Sequence, residues 1–224
     1  MELPRFPDGM VAPFKILDGL LPKLRVASPD LIKFEALQVI QDLCRRGGVW
    51  RQWVGPIMVD DEKIEVAIPP INPLSEVHTV YQVREGIPNG KDLERIDPLN
   101  RSSLRLGGRG IPSKYTQTQP GVIQLNAVPN IGDPPFPLEA YCSIVPLDLC
   151  VPVWFQDEHF DTVVKGALAN LLMIKGVNYD PGVAVRMAKE YRSRIAHHRI
   201  NAQSGFSITN RKMLGPYFAM GRQR

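Results

Sequence analysis

Ser28-Pro-Asp-Leu-Ile-Lys-Phe-Glu-Ala-Leu-Gln-Val-Ile-Gln-Asp-Leu-Cys-Arg-Arg-Gly-Gly-Val-Trp-Arg-Gln-Trp-Val54 decides the fold class, because its hydrophobic period changes within one stretch. Ser28 can accept from an orphan N–H, Pro29 is preset for the first helical position, and Asp30 suits the positive end of the dipole. Leu31, Ile32, Phe34, Leu37, Val39, Ile40, Leu43 and Cys44 then recur close to every 3.6 residues. Arg45 and Arg46 complement the negative end, and Gly47-Gly48 stop the helix. The spacing predicts a first helix over 29–46. Beyond it the period falls towards two, the mark of strands.

The strand pattern continues to residue 155. Candidate strands are 49–59, 63–68, 77–84, 93–96, 114–118, 122–127 and 141–147. Turn signals at Asp60-Asp61, Pro69-Pro70, Pro88-Asn89-Gly90, Pro120-Gly121 and 130–137 separate them. Such short strands suggest a small antiparallel sandwich or barrel. Gly107-Gly108-Arg109-Gly110 reads as a flexible loop tip.

A second helix is expected from about Asp157 to Gly176, with Phe160, Val163, Val164, Ala167, Leu168, Leu171 and Leu172 as its apolar stripe. A third starts at Asp180-Pro181 and runs to about Gln203, with Val183, Met187, Tyr191, Ile195 and His198 on one face. The short link makes the two an antiparallel hairpin. The fold expected is therefore α+β: a three-helix core of the first helix plus a C-terminal hairpin, with an inserted antiparallel β subdomain and extended N- and C-terminal arms. The boundaries are 1–27 for the N-terminal arm, 28–48 and 156–203 for the helical domain, 49–155 for the β insertion, and 204–224 for the C-terminal arm. Trp50 and Trp53 follow the first helix directly. Three apart in a strand, they face opposite sides, and they read as an interdomain hinge plug.

The chain has 224 residues, enough to bury a core without staples. Its apolar fraction of 44% and charged fraction of 22% exclude wholesale disorder. No apolar run is long enough for a membrane span, and MELPRFPDGM does not read as a secretory signal. Cys44, Cys142 and Cys150 read as buried free thiols. Charge is uneven. Residues 181–224 hold nine basic residues and one acid, so they carry +8, whereas the remainder carries −4. Such asymmetry marks docking on an acidic partner or on phosphate.

Motifs for chemistry are absent. There is no nucleotide-binding glycine loop, nucleophile elbow, HExxH, CxxC or calcium loop, so no cofactor or metal is implied. His159 reads as a surface residue in a helical first turn; an enzymatic pocket built from it and nearby acids is a distant reading. His197 and His198 point to different faces, and Asp60-Asp61-Glu62 reads as a solvated hairpin tip. The last twenty-one residues, 204–224, contain no acid but carry Phe206, Ile208, Met213, Leu214, Tyr217, Phe218 and Met220 beside Arg211 and Lys212. They are too few to form a core and too apolar to be a solvated tail, so they need a partner surface.

The order of features from Leu20 to about residue 203 resembles the head-to-tail adaptor proteins of short-tailed bacteriophages. The matching pieces are Leu20-Leu21-Pro22, the Pro-containing cap, the amphipathic helix, and Cys44-Arg45-Arg46 followed by Trp50-Arg51. They continue with a strand pair around Pro69-Pro70, then Pro120-Gly121-Val122-Ile123-Gln124-Leu125, and Ala167-Leu168-Ala169-Asn170-Leu171-Leu172. The resemblance implies a non-enzymatic virion structural protein, made in the bacterial host cytoplasm and sited at the head–tail junction. It implies a homo-oligomeric ring, a dodecamer in type, bound to the portal protein and offering a platform to tail nozzle or tail fibre proteins. The C-terminal arm would be the portal-docking element, and DNA would pass through the channel without specific binding. The alternative is a nucleic-acid-binding module using the basic C-terminal helix and tail.

Overall fold

A computed structural model describes residues 11–20, 24, 27–59, 63–97, 99, 108–130, 133–175 and 179–207, with backbone alone for 11–13 and 201–207. The chain is mixed α+β with a C-terminal helical pair. Helix α2 (Pro29–Asp42) starts as its sequence dictates: Ser28 Oγ accepts from the Leu31 N–H at 3.2 Å, with Pro29 in the first turn. Its buried face is Ile32, Ala36, Val39 and Ile40. Phe34, expected on that face, is instead 56% exposed. The helix continues as a π-helical turn, Leu43–Gly47, and closes on Gly48 at φ 57°, where the Gly48 N–H donates to Cys44 O. A side chain there would be strained in the left-handed region and would meet the Tyr81 hydroxyl, so glycine is required twice over.

The period-two region forms two main sheets. In the first, β10 (Phe136–Pro146) lies between β2 (Arg51–Val59) and β4 (Ser75–Glu85), antiparallel to both. Alternation along β10 sends Leu138, Ala140, Cys142 and Ile144 to the core. The second sheet has the order β3 (Glu65–Ala67), β8 (Val122–Leu125), β7 (Lys114–Gln119), β5 (Glu94–Arg95). Gly121, at φ 68°, makes the tight β7–β8 turn. The insertion is not wholly antiparallel: β5 pairs with β7 in parallel, and so does β6 (Gly108–Arg109) with β9 (Ala127–Val128). The second pairing replaces the expected loop tip at Gly108–Arg109, because backbone pairing needs no side-chain pattern and two glycines conceal it.

The N-terminal segment is less of an arm than expected. Strand β1 (Val11–Pro13) pairs with β11 (Cys150–Pro152), and α1 (Ile16–Leu20) buries Ile16 and Leu20. With Phe14 and Leu24 these join the apolar core. That core is continuous from the helices into both sheets, so the β region does not stand off with a core of its own.

Helix α3 (Val153–Leu171) begins four residues before the expected start, directly after Pro152 ends β11. Helix α4 (Pro181–Ser207) runs past Ser204-Gly205, where a stop was expected. The three long helices pack around Gly166. A Cβ there would lie 2.6 Å from Val39 Cγ1 on α2 and 3.1 Å from the Tyr191 ring on α4. The Tyr191 hydroxyl lies 3.0 Å from Val39 O, to which it donates, and 3.1 Å from Asp42 Oδ2. Among the described residues no helix is long and apolar enough to cross a membrane.

Candidate functional site

The end of α2, the sheet and α4 meet around an open cleft of about 690 Å3. The π turn supplies Arg45, Arg46 and Gly47, β4 supplies Thr79 and Tyr81, β5 supplies Arg95, and α4 supplies Arg192, Ile195, Ala196 and Arg199. The α4 members share one face because they recur at three- and four-residue steps. All five guanidinium-bearing residues are exposed. Two are partly neutralised: Arg45 pairs with Glu76 at 3.0 Å and Arg46 with Asp42 at 3.3 Å. Arg95, Arg192 and Arg199 make no ion pair with any described residue. The imidazole of His78 is held below the usual histidine range: burial is the main cause, Arg45 adds to it, and Glu76 opposes it.

Tyr81 connects the cleft to a row of rings on the sheet face opposite the core. The Arg51 guanidinium lies 5.0 Å over the Tyr81 ring. The Tyr81 and Tyr141 rings are 6.3 Å apart, Tyr141 and Trp53 are 5.3 Å apart, and Arg84 lies 4.1 Å over Trp53 while pairing with Glu139 at 2.6 Å. The two tryptophans do face opposite sides. Trp50 is buried in the continuous core: its backbone N–H bonds Cys44 at the helix end, and its carbonyl accepts from the Ile144 N–H on β10 at 2.9 Å. Trp53 belongs to the half-buried outer row.

His159 is not on the surface. Because α3 starts at Val153, residue 159 falls in its second turn on the packed face, 4% exposed, with the Phe155 ring 4.9 Å away and His198 5.0 Å away. Burial, then the neighbouring His198, push its pKa down to about 4. Its Nδ1 has no hydrogen-bond partner among the described residues. A neutral imidazole enclosed against Phe155 and His198 is a packing residue. Cys44, Cys142 and Cys150 are buried free thiols, as expected. Burial pushes the Cys142 thiol up to about 12 and raises Cys44 as well, so neither supplies thiolate near neutrality.

Of the expected docking residues, Phe206 lies in the last turn of α4, with only its backbone described. Ile208, Arg211, Lys212, Met213, Leu214, Tyr217, Phe218 and Met220 lie outside the described residues. The arginine cleft was not foreseen as a unit. Its members come from four separate elements, and only the Arg45-Arg46 pair and the stripe on α4 were visible as signals. Compared with known proteins, the chain matches no family model and no curated sequence.

Proposed function

We propose that this chain is a virion structural protein: an adaptor that assembles into a ring beneath the portal of a tailed, short-tailed-type bacteriophage. There it closes the filled head and presents a platform to tail nozzle or fibre proteins. The observation that carries the reading is the C-terminal segment. A helix of 27 residues, with Phe206 in its last turn, leads into a stretch with no acid and six large apolar residues from Ile208 to Met220. At ~25 cal/mol per Å2, a few hundred Å2 buried on a neighbour is a modest affinity for one arm. Repeated around a ring it becomes firm attachment. The ordered features from Leu20 to the end of the helical hairpin add support, as does the single core that would make each subunit a rigid block.

Truncation after Ser207, which leaves α4 whole, tests the reading. The shortened protein should keep the helical content and melting behaviour of the full chain and lose binding to the portal. Undiminished portal binding would remove the arm from its assigned role. The second reading, a nucleic-acid-binding module using α4 and the tail, draws on the +8 charge of residues 181–224. It requires that the truncated chain lose DNA affinity along with its steep salt dependence.

A further inference from the structure

We propose that the arginine cleft between the end of α2, strands β4 and β5, and helix α4 is a binding site for the phosphodiester backbone of a nucleic acid. The site is built without the C-terminal tail. It stands on the cleft's own geometry and holds for a single subunit as for a ring.

Guanidinium is the group that recognises phosphate with two parallel N–H donors. Five of them border one concavity here, with the hydroxyl-bearing Thr79 and Tyr81 on its wall. Charge is left over after internal pairing: Glu76 and Asp42 answer Arg45 and Arg46, and nothing described answers Arg95, Arg192 or Arg199. The cleft is therefore a concentration of positive potential on a body that is otherwise net negative.

The array suits a chain of anions better than one compact anion. Arg192 and Arg199 are seven residues apart on α4, about 10 Å along the helix axis. Lys189 and Arg186 extend the exposed basic stripe towards the start of α4. A nucleic acid supplies negative charge at regular intervals along such a track, and its binding is governed by the number of phosphates neutralised. The aromatic row distinguishes a nucleic acid from an acidic polypeptide. It starts at the cleft wall with Tyr81 and continues through Tyr141 to Trp53, with Arg51 over Tyr81 and Arg84 over Trp53, and bases of a single strand stack on guanidinium planes as they do on rings. The contacts are to the phosphate backbone and to base faces, so binding is indifferent to sequence. That is compatible with DNA passing an assembly without specific recognition.

The test is fluorescence anisotropy of the full-length chain with a labelled 12-nucleotide single strand and a labelled 12-base-pair duplex, at 50 and 200 mM salt. Arg192→Glu/Arg199→Glu reverses two unpaired cleft charges. Lys33→Glu/Lys63→Glu makes the same change in net charge away from the cleft. The cleft variant should lose at least tenfold in affinity and flatten the salt slope by about 1.4 for the single strand, the equivalent of two phosphates. The control should lose less than threefold, and both variants should keep the parent's circular dichroism and melting temperature. Truncation after Ser207 should leave the effect of the cleft substitutions intact. The proposal is overturned if the parent chain does not bind, if both variants weaken equally, or if truncation alone abolishes binding. It is also overturned if labelled poly-glutamate of equal charge binds as tightly as the oligonucleotide, or if 10 mM inorganic phosphate displaces the strand completely, which would mark a small-anion site. None of these outcomes touches the portal-binding result, so the two proposals fail separately.

Discussion

Gly166→Ala sets helix propensity against packing at the point where the three long helices meet. In a helix interior the substitution should stabilise by about 1 kcal/mol. Here the added methyl would lie 2.6 Å from Val39 Cγ1 and 3.1 Å from two atoms of the Tyr191 ring. Val39 is β-branched and within a helix, so its side chain has one favoured rotamer and cannot swing aside without strain. Tyr191 is tied by its hydroxyl to Val39 O and Asp42, and its withdrawal would lengthen both bonds. Overpacking of this kind costs roughly 1–3 kcal/mol, and a weakened buried hydrogen bond adds about 1 kcal/mol. The net expectation is destabilisation of about 1–3 kcal/mol, read as a lower urea midpoint at constant slope. Val39→Ala in the same background should relieve the clash, so the double-mutant cycle should show favourable coupling. A Gly166→Ala protein as stable as the parent, or more so, would refute the close approach of α2, α3 and α4.

Other consequences follow from individual side chains. His159 has a folded-state pKa of about 4 against an ordinary value of 6.5. The unfolded chain therefore takes up a proton first, and the stability present above pH 6.5 is lost as pH falls towards 4, by about 3 kcal/mol from this group. His159→Phe should flatten that part of the stability–pH curve in urea titrations; an unchanged slope would place the imidazole in contact with water. Trp50→Ala should cost about 3–5 kcal/mol because the ring is buried in the common core. Trp53→Ala should cost distinctly less, and equal losses in chemical denaturation would contradict the assignment of the two rings to opposite faces. Tyr191→Phe should cost about 1 kcal/mol, measured the same way, with no change in helical content.

Local chemistry made the helices legible. Ser28-Pro29-Asp30 and the glycine pair at 47–48 mark the ends of one continuous helical stretch, and the stripe from Val163 to Leu172 is buried much as its spacing requires. What escaped was set by tertiary context. Phe34 has the right period for the buried face, yet no described element covers it. Val153-Trp154-Phe155 reads equally as strand or helix, and the entry from β11 settles it as α3; that shift carries His159 from an expected surface turn into the core. Ser204-Gly205 looks like a stop, but helix α4 passes through it. Gly108–Arg109 and Val11–Pro13 pair through backbone alone, and the second pairing ties down a segment that proline content made look free. The cleft needed the fold, since Arg95 and Arg199 are over one hundred residues apart in the chain and become neighbours only when the second sheet approaches α4.

Imaging of native particles that contain this chain, with the C-terminal segment traced in the density, tests the central proposal most directly. The account predicts a closed ring of copies at the portal vertex, each with residues 208–224 lying on the portal. A vertex without such a ring, or a ring whose C-terminal segments fold back onto their own subunits, would contradict it.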